Sequence, residues 1–112
     1  MDKDKIIKGS LSTIVLQLIQ NNGRMYGYEI TKSVQAASKG RMQLSEAALY
    51  PTLHKLEAEG CIETEIAIVQ GRTRRYYKLT QKGNQESIEQ YNKLKEAIQS
   101  LQLVLSFKLN HA

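Results

Sequence analysis

Residues 44–62 read Leu44-Ser45-Glu46-Ala47-Ala48-Leu49-Tyr50-Pro51-Thr52-Leu53-His54-Lys55-Leu56-Glu57-Ala58-Glu59-Gly60-Cys61-Ile62. They hold one complete helix with its start and its stop. Ser45 is a good N-cap, since its oxygen can accept from an orphan amide of the first turn. Glu46 follows where a carboxylate suits the helix dipole. Ala48 stands at the third position after the cap, so no capping box is expected. Leu49, Leu53 and Leu56 recur at helical spacing and mark the buried stripe. Gly60 supplies the left-handed residue that closes a helix. At about 100° per residue, Ala47, Pro51, His54 and Ala58 lie opposite the leucines, flanked by Ala48, Tyr50 and Lys55. That face is small at its start and then polar. A helix laid in a DNA groove needs this, with close approach first and then groups that reach bases and phosphates. Ser45 and the free amides of the first turn suit a phosphate. A solvated helix face would look the same, so this helix alone does not decide. Pro51 lies about six residues inside, beyond the turn where proline is tolerated, and predicts a kink or a later start.

Upstream, Ile7, Leu11, Ile14, Val15 and Leu18 predict a helix from about Gly9 to Gln20, stopped by Asn21-Asn22-Gly23. A second helix is expected from Tyr26 to about Ser38, with Tyr26, Ile30, Val34 and Ala37 as its apolar face and Gly27 in close backbone packing. Gly40 to Leu44 then make a short helix-turn-helix connection. Downstream, Cys61 to Val69 alternate as a strand, Gln70-Gly71-Arg72 turn, and Thr73 to Leu79 return as a second strand. Tyr77 and Leu79 are expected to face inward, and Arg74, Tyr76 and Lys78 outward. Thr80 can cap a last helix from Gln81 to near Leu109. In it Tyr91, Leu94, Ile98, Leu101 and Leu105 are spaced three and four apart as a heptad seam. So long a helix cannot fold wholly over a small body, so part of the seam is expected to meet a second copy. Packing on its own domain is the other reading.

The formal net charge is +5. Residues 1–69 hold eight basic and eight acidic side chains, and residues 83–112 hold three of each. The whole excess therefore lies in Arg72, Arg74, Arg75, Lys78 and Lys82, in and after the hairpin. A basic segment in a balanced chain is what a phosphate-binding element looks like. The chain of 112 residues suits one domain, and no apolar run approaches membrane-spanning length. The start carries two acids and no apolar stretch follows, so no secretory leader is expected. A single cysteine, Cys61, reads as a buried thiol in a reducing cytoplasm. The histidines His54 and His111 have no ligand set around them, no glycine-rich phosphate loop occurs, and Glu57, Glu59, Glu63 and Glu65 read as solvated positions. No catalytic set, metal or cofactor is expected.

Four segments together resemble the PadR family of bacterial transcription regulators. They are Tyr26-Gly27-Tyr28-Glu29-Ile30, Leu44 to Leu53, Leu56 to Ile62, and Arg74-Arg75-Tyr76-Tyr77-Lys78-Leu79-Thr80. The likeness covers about residues 10–83, and the short C-terminal part resembles the subgroup with one terminal dimerisation helix. The resemblance implies a cytoplasmic winged-helix homodimer that binds double-stranded DNA at an inverted repeat, usually as a repressor. It implies that Tyr26, Ser45, Tyr50, Pro51, His54 and Lys55 face DNA and that Arg72, Arg74 and Arg75 form the wing contacts. Pro51 then belongs to the recognition helix despite its cost. The seam of Tyr91, Leu94, Ile98, Leu101 and Leu105, with Ile7 and Leu11 of the first helix, would form the dimer interface. A small-molecule effector is compatible with the family, although the chain lacks the tryptophan that some drug-sensing members use, and its wing is short.

The expected fold is thus mainly α with a two-stranded β wing. A winged helix-turn-helix spans residues 1–80, and a long C-terminal dimerisation helix spans 81–112. The alternative is a winged-helix protein-interaction module that does not touch DNA. It would need an exposed apolar patch where this sequence offers a polar helix face and a basic wing.

Overall fold

The computed structural model describes residues 3–108. His111 lies outside them, and the last helix, expected to run to near Leu109, ends earlier, at Leu105, where Ser106 caps it and donates its amide to the Gln102 carbonyl. The order is α1 (Lys3–Lys8), α2 (Leu11–Asn22), β1 (Met25–Tyr26), α3 (Gly27–Ala37), α4 (Glu46–Ala58), β2 (Ile62–Val69), β3 (Arg72–Leu79) and α5 (Gln81–Leu105). The first helix expected from Gly9 starts two residues later, because Gly9 and Ser10 break it from α1. Leu11, Val15, Leu16 and Ile19 turn its buried face inward. Gly23, at φ +83°, ends it and returns its amide to the Ile19 carbonyl.

Tyr26 is not yet helical. It is extended, and its amide donates to Glu29 Oε1 at 3.1 Å, which tethers the start of α3. With Met25 it forms a third strand that pairs antiparallel with β3, Met25 opposite Tyr77 and Tyr26 opposite Tyr76. The sheet order is therefore β1-β3-β2, one short strand more than the two-stranded wing expected. β3 becomes the central strand, and this changes one expectation. Tyr76 was expected to face outward, yet it is buried, as Tyr77 is, because β1 and Tyr26 cover its side of the sheet. Ile30 and Val34 of α3 are buried as expected, whereas Ala37 in its last turn is exposed.

α4 starts where the sequence placed it. Ser45 Oγ accepts from the Ala48 amide at 3.2 Å, and Leu49, Leu53 and Leu56 are fully buried. Pro51 lies within the helix without moving its start. The amide it lacks would have bonded the Ala47 carbonyl, and both residues are exposed, so the cost falls on the wet side of the helix. The stop is a full Schellman motif. The Gly60 amide donates to the Glu57 carbonyl at 3.0 Å and the Cys61 amide to the Leu56 carbonyl at 2.9 Å, with Gly60 at φ +76°. β2 and β3 are joined by only two residues, Gln70 and Gly71, at φ +51° and +76°. Both are left-handed, which defines the hairpin turn that matches strand twist.

Thr80 caps α5 and clamps it to the body. Its hydroxyl accepts from the Gly83 amide at 3.0 Å and donates to the Gly60 carbonyl at 2.6 Å. The first half of α5 lies against α2, where Ser87 Oγ donates to Gln20 Oε1 at 2.8 Å and Thr13 Oγ1 to Gln90 Oε1 at 3.1 Å. The second half runs on beyond the body, so the molecule measures 67 × 29 × 21 Å. The core gathers Val15, Leu16 and Ile19 with the α4 leucines, Ile30, Cys61, Ile62 and Tyr77. Cys61 is buried as expected, and desolvation pushes its thiol above the ordinary value against the pull of Lys82.

Candidate nucleic-acid interface

With its leucines turned into the core, α4 presents the opposite face to solvent. Ser45, Tyr50, Pro51, His54 and Lys55 are all exposed along it. A cleft lies on each side of this ridge. The first, about 520 Å³, separates α4 from the wing. Glu46, Tyr50 and His54 line one wall, and Thr73, Arg74 and Arg75 the other, with Tyr26 and Tyr28 at the end. The second, about 670 Å³, separates α4 from the α1–α2 junction and brings Lys8 and Ser12 opposite Ser45, Thr52 and Lys55. Gly27 gives the Tyr50 ring room to lie close against α3 in the first cleft. A Cβ there would stand 2.6 Å from the Tyr50 hydroxyl, so the expected close approach at Gly27 is to a side chain of α4.

The structure sorts the five cations of the basic segment. Lys78 reaches Glu65 at 3.4 Å and Glu63 at 3.6 Å across the sheet. Lys82 Nζ donates to the Glu59 carbonyl at 2.6 Å. Both therefore already have partners within the chain. Arg72, Arg74 and Arg75 form no ion pair among the described residues. Arg72 is exposed beside the turn, while Arg74 and Arg75 look into the first cleft.

An aromatic ladder runs from the sheet into that cleft. The Arg24 guanidinium sits 4.2 Å from the Tyr76 ring centre. Tyr76 meets Tyr26 edge to face at 5.4 Å, and the Arg74 guanidinium lies 4.4 Å over Tyr26. Tyr28 stacks on Tyr26 at 6.4 Å. Arg24 also pairs with Glu65, and together with Lys78 it holds that carboxyl below its ordinary value. Sequence reading missed Arg24, Tyr28, Lys8 and Ser12. Tyr28 carried a signal, since two tyrosines flank Gly27, but the lysine and serine carried none until α1 was seen to turn toward α4.

Of the residues expected at a dimer interface, Tyr91, Ile98, Leu101 and Leu105 are exposed and Leu94 is half-buried. A groove of about 290 Å³ runs along Tyr91, Leu94 and Ile98. Ile7 is half-buried, and Leu11 is buried inside its own chain, so little of Leu11 is left for a partner. No described helix is long and apolar enough to cross a membrane.

A capped polar helix beside a short basic hairpin, on a three-helix core with a long trailing helix, defines a winged-helix protein of the transcription-regulator class. The comparisons carry this further. The family model described as "Transcriptional regulator PadR-like family" matches residues 15–89. An uncharacterised protein of Lysinibacillus sphaericus is 34% identical over 102 residues, covering 88% of this chain and 93% of its own length. A transcriptional regulator from Clostridium thermocellum superposes with a TM-score of 0.75 at 27% identity, over 96% of this chain and 98% of that one. A PadR-like transcriptional regulator from Bacillus cereus gives 0.79 at 25% identity, over 93% and 99%. The chain belongs to the PadR-like family of transcriptional regulators.

Proposed function

We propose that the protein is a sequence-specific DNA-binding repressor that acts in the cytoplasm as a homodimer on an inverted-repeat operator, and is not an enzyme. In this reading residues 1–80 bind DNA and residues 81–112 dimerise. The observation that carries it is the pair Arg74 and Arg75, which form no ion pair among the described residues and face α4 across the first cleft, with Arg72 exposed beside the turn. With Lys78 on glutamates and Lys82 of α5 on a carbonyl, three guanidinium groups that have no carboxylate among the described residues call for an anionic partner. His54 and Tyr50 face the base edges, Ser45, Lys55 and Lys8 take backbone phosphates, and Pro51 allows close approach on the ridge. A lipophilic effector, if one acts, would enter the groove at Tyr91, Leu94 and Ile98.

The protein-interaction reading has one observation of its own. Ile66 and Ile68 on the outer part of β2 are 58% and 76% exposed. Titration of the protein against DNA upstream of its own gene, at low and moderate salt with random competitor, separates the two. Sequence-specific DNA binding predicts a shift that survives competitor and weakens steeply with salt. Replacing Arg74 and Arg75 with alanine should weaken binding to every sequence alike, whereas His54→Ala should change the sequence preference. A shift fully removed by competitor, and indifferent to the arginine pair, would favour the interaction module.

A further inference from the structure

We propose that Tyr26 is a positioning residue for Arg74, holding its guanidinium in the cleft between the wing and α4 so that it grips one phosphate of the DNA backbone. The inference rests on the DNA-binding reading and adds to it the part played by Tyr26, which sequence reading placed among the DNA contacts themselves. The geometry that carries it is asymmetric. Arg24 and Arg74 each lie over a tyrosine, at 4.2 and 4.4 Å, at the two ends of one aromatic pair. Arg24 is also tied to Glu65, so its charge is already answered. Among the described residues Arg74 has the ring and no carboxylate partner, and it opens into the cleft lined by Arg75, Tyr50 and His54.

The sheet explains why the stack forms. β1 ends at Tyr26, which is paired with Tyr76. Arg74 is the next residue on the same face of β3, just past the end of β1, so its side chain falls over the Tyr26 ring. A planar guanidinium on a ring face keeps its donors pointing outward in the ring plane's direction, free for a phosphate. An unsupported arginine must lose its rotamer freedom when it binds, whereas one already laid on a ring has lost much of it beforehand.

The test uses the full chain and a mixed-sequence duplex of about two helical turns, read by fluorescence anisotropy across a salt series. Tyr26→Phe keeps the ring and should bind like the unsubstituted protein. Tyr26→Leu should weaken binding about two- to fivefold. Arg74→Ala should weaken it more and lower the salt slope by about one. In the Arg74→Ala background, Tyr26→Leu should cost nothing further. An additive loss would overturn the proposal, because a ring that touched DNA itself or only held the fold would matter with or without Arg74. A loss in Tyr26→Phe would overturn it too, by assigning the contact to the hydroxyl. Thermal unfolding of each variant checks folding. Should Tyr26→Leu fail to fold, Arg74→Lys, at a half-buried position on the wing, decides. It keeps the charge but not the plane, so weaker binding at an unchanged salt slope supports the stack, and unchanged affinity overturns it. Absence of binding by the unsubstituted protein would overturn this inference together with the DNA-binding reading, whereas binding with an additive loss overturns the inference alone.

Discussion

Of the glycines, Gly83 has the least room. It is buried at the start of α5, and a Cβ there would lie 1.9 Å from the Cys61 carbonyl oxygen, a backbone atom that cannot step aside. The same carbonyl accepts from the Thr80 amide at 3.0 Å, so moving it would also loosen the cap of α5. Gly83→Ala should therefore cost about 3 kcal/mol or more, seen as a large fall in the urea midpoint, while Gly9→Ala, with open space around it, should cost little. Cys61 and Tyr77 make a second prediction. Burial raises both above their ordinary values, 9.0 and 10.0. Each is an acid that the fold keeps protonated, so its contribution is full below the unfolded value and is lost as the pH climbs through the raised one. The urea midpoint should hold through neutral pH and fall at alkaline pH, beginning above about 9. A midpoint that stayed level there would contradict the burial of both groups.

At the scale of elements, the wing depends on its turn. Gln70 is a long side chain at φ +51°, where asparagine and glycine are more at ease. Gln70→Asn should stabilise the hairpin by about 0.5 kcal/mol and raise the melting temperature by about 2–4 °C. Calorimetry checks the gain, and DNA affinity should be unchanged because no arginine moves. The helix α4 was largely legible before folding. Ser45, the three leucines and Gly60 are local signals, and each acts within one or two turns of its own position. β1 was not legible. Two residues have no period to read, and they become a strand only because β3 passes beside them.

The whole molecule is defined by what α5 leaves uncovered. At 25 residues it is about 37 Å long, and only its first half lies on α2. Leu101, Leu103, Val104, Leu105 and Phe107 are all strongly exposed, Leu105 at 83%. Leu103 and Val104 lie off the heptad seam, so a two-helix seam alone would leave them wet. In the proposed dimer, a second copy covering this end from more than one side would bury these residues. Light scattering should give twice the 12.7 kDa chain mass. Leu101→Glu should shift the protein to monomer at micromolar concentration and weaken operator binding, since one recognition helix then holds one half-site. A monomeric unsubstituted protein would remove the dimer from the proposal.

By itself, the sequence determined the order of the main helices and hairpin strands and the buried face of α4, but not α1, β1 or the side of β3 that buries Tyr76. Helical spacing, caps and turn residues act over a few positions, so the winged-helix order, the α4 ridge and the basic hairpin could be read directly. Only the tertiary structure decided which charges remain available. Lys78 and Lys82 look like Arg74 and Arg75 in a charge count, yet the first two are consumed by Glu63, Glu65 and the Glu59 carbonyl, groups brought near by strand register and by the α4–α5 junction. The stack of Arg74 on Tyr26 joins residues from β1 and β3, far apart in the chain, and no local spacing encodes it. Short-range order follows from neighbours in sequence, whereas the electrostatics of the site follow from neighbours in space.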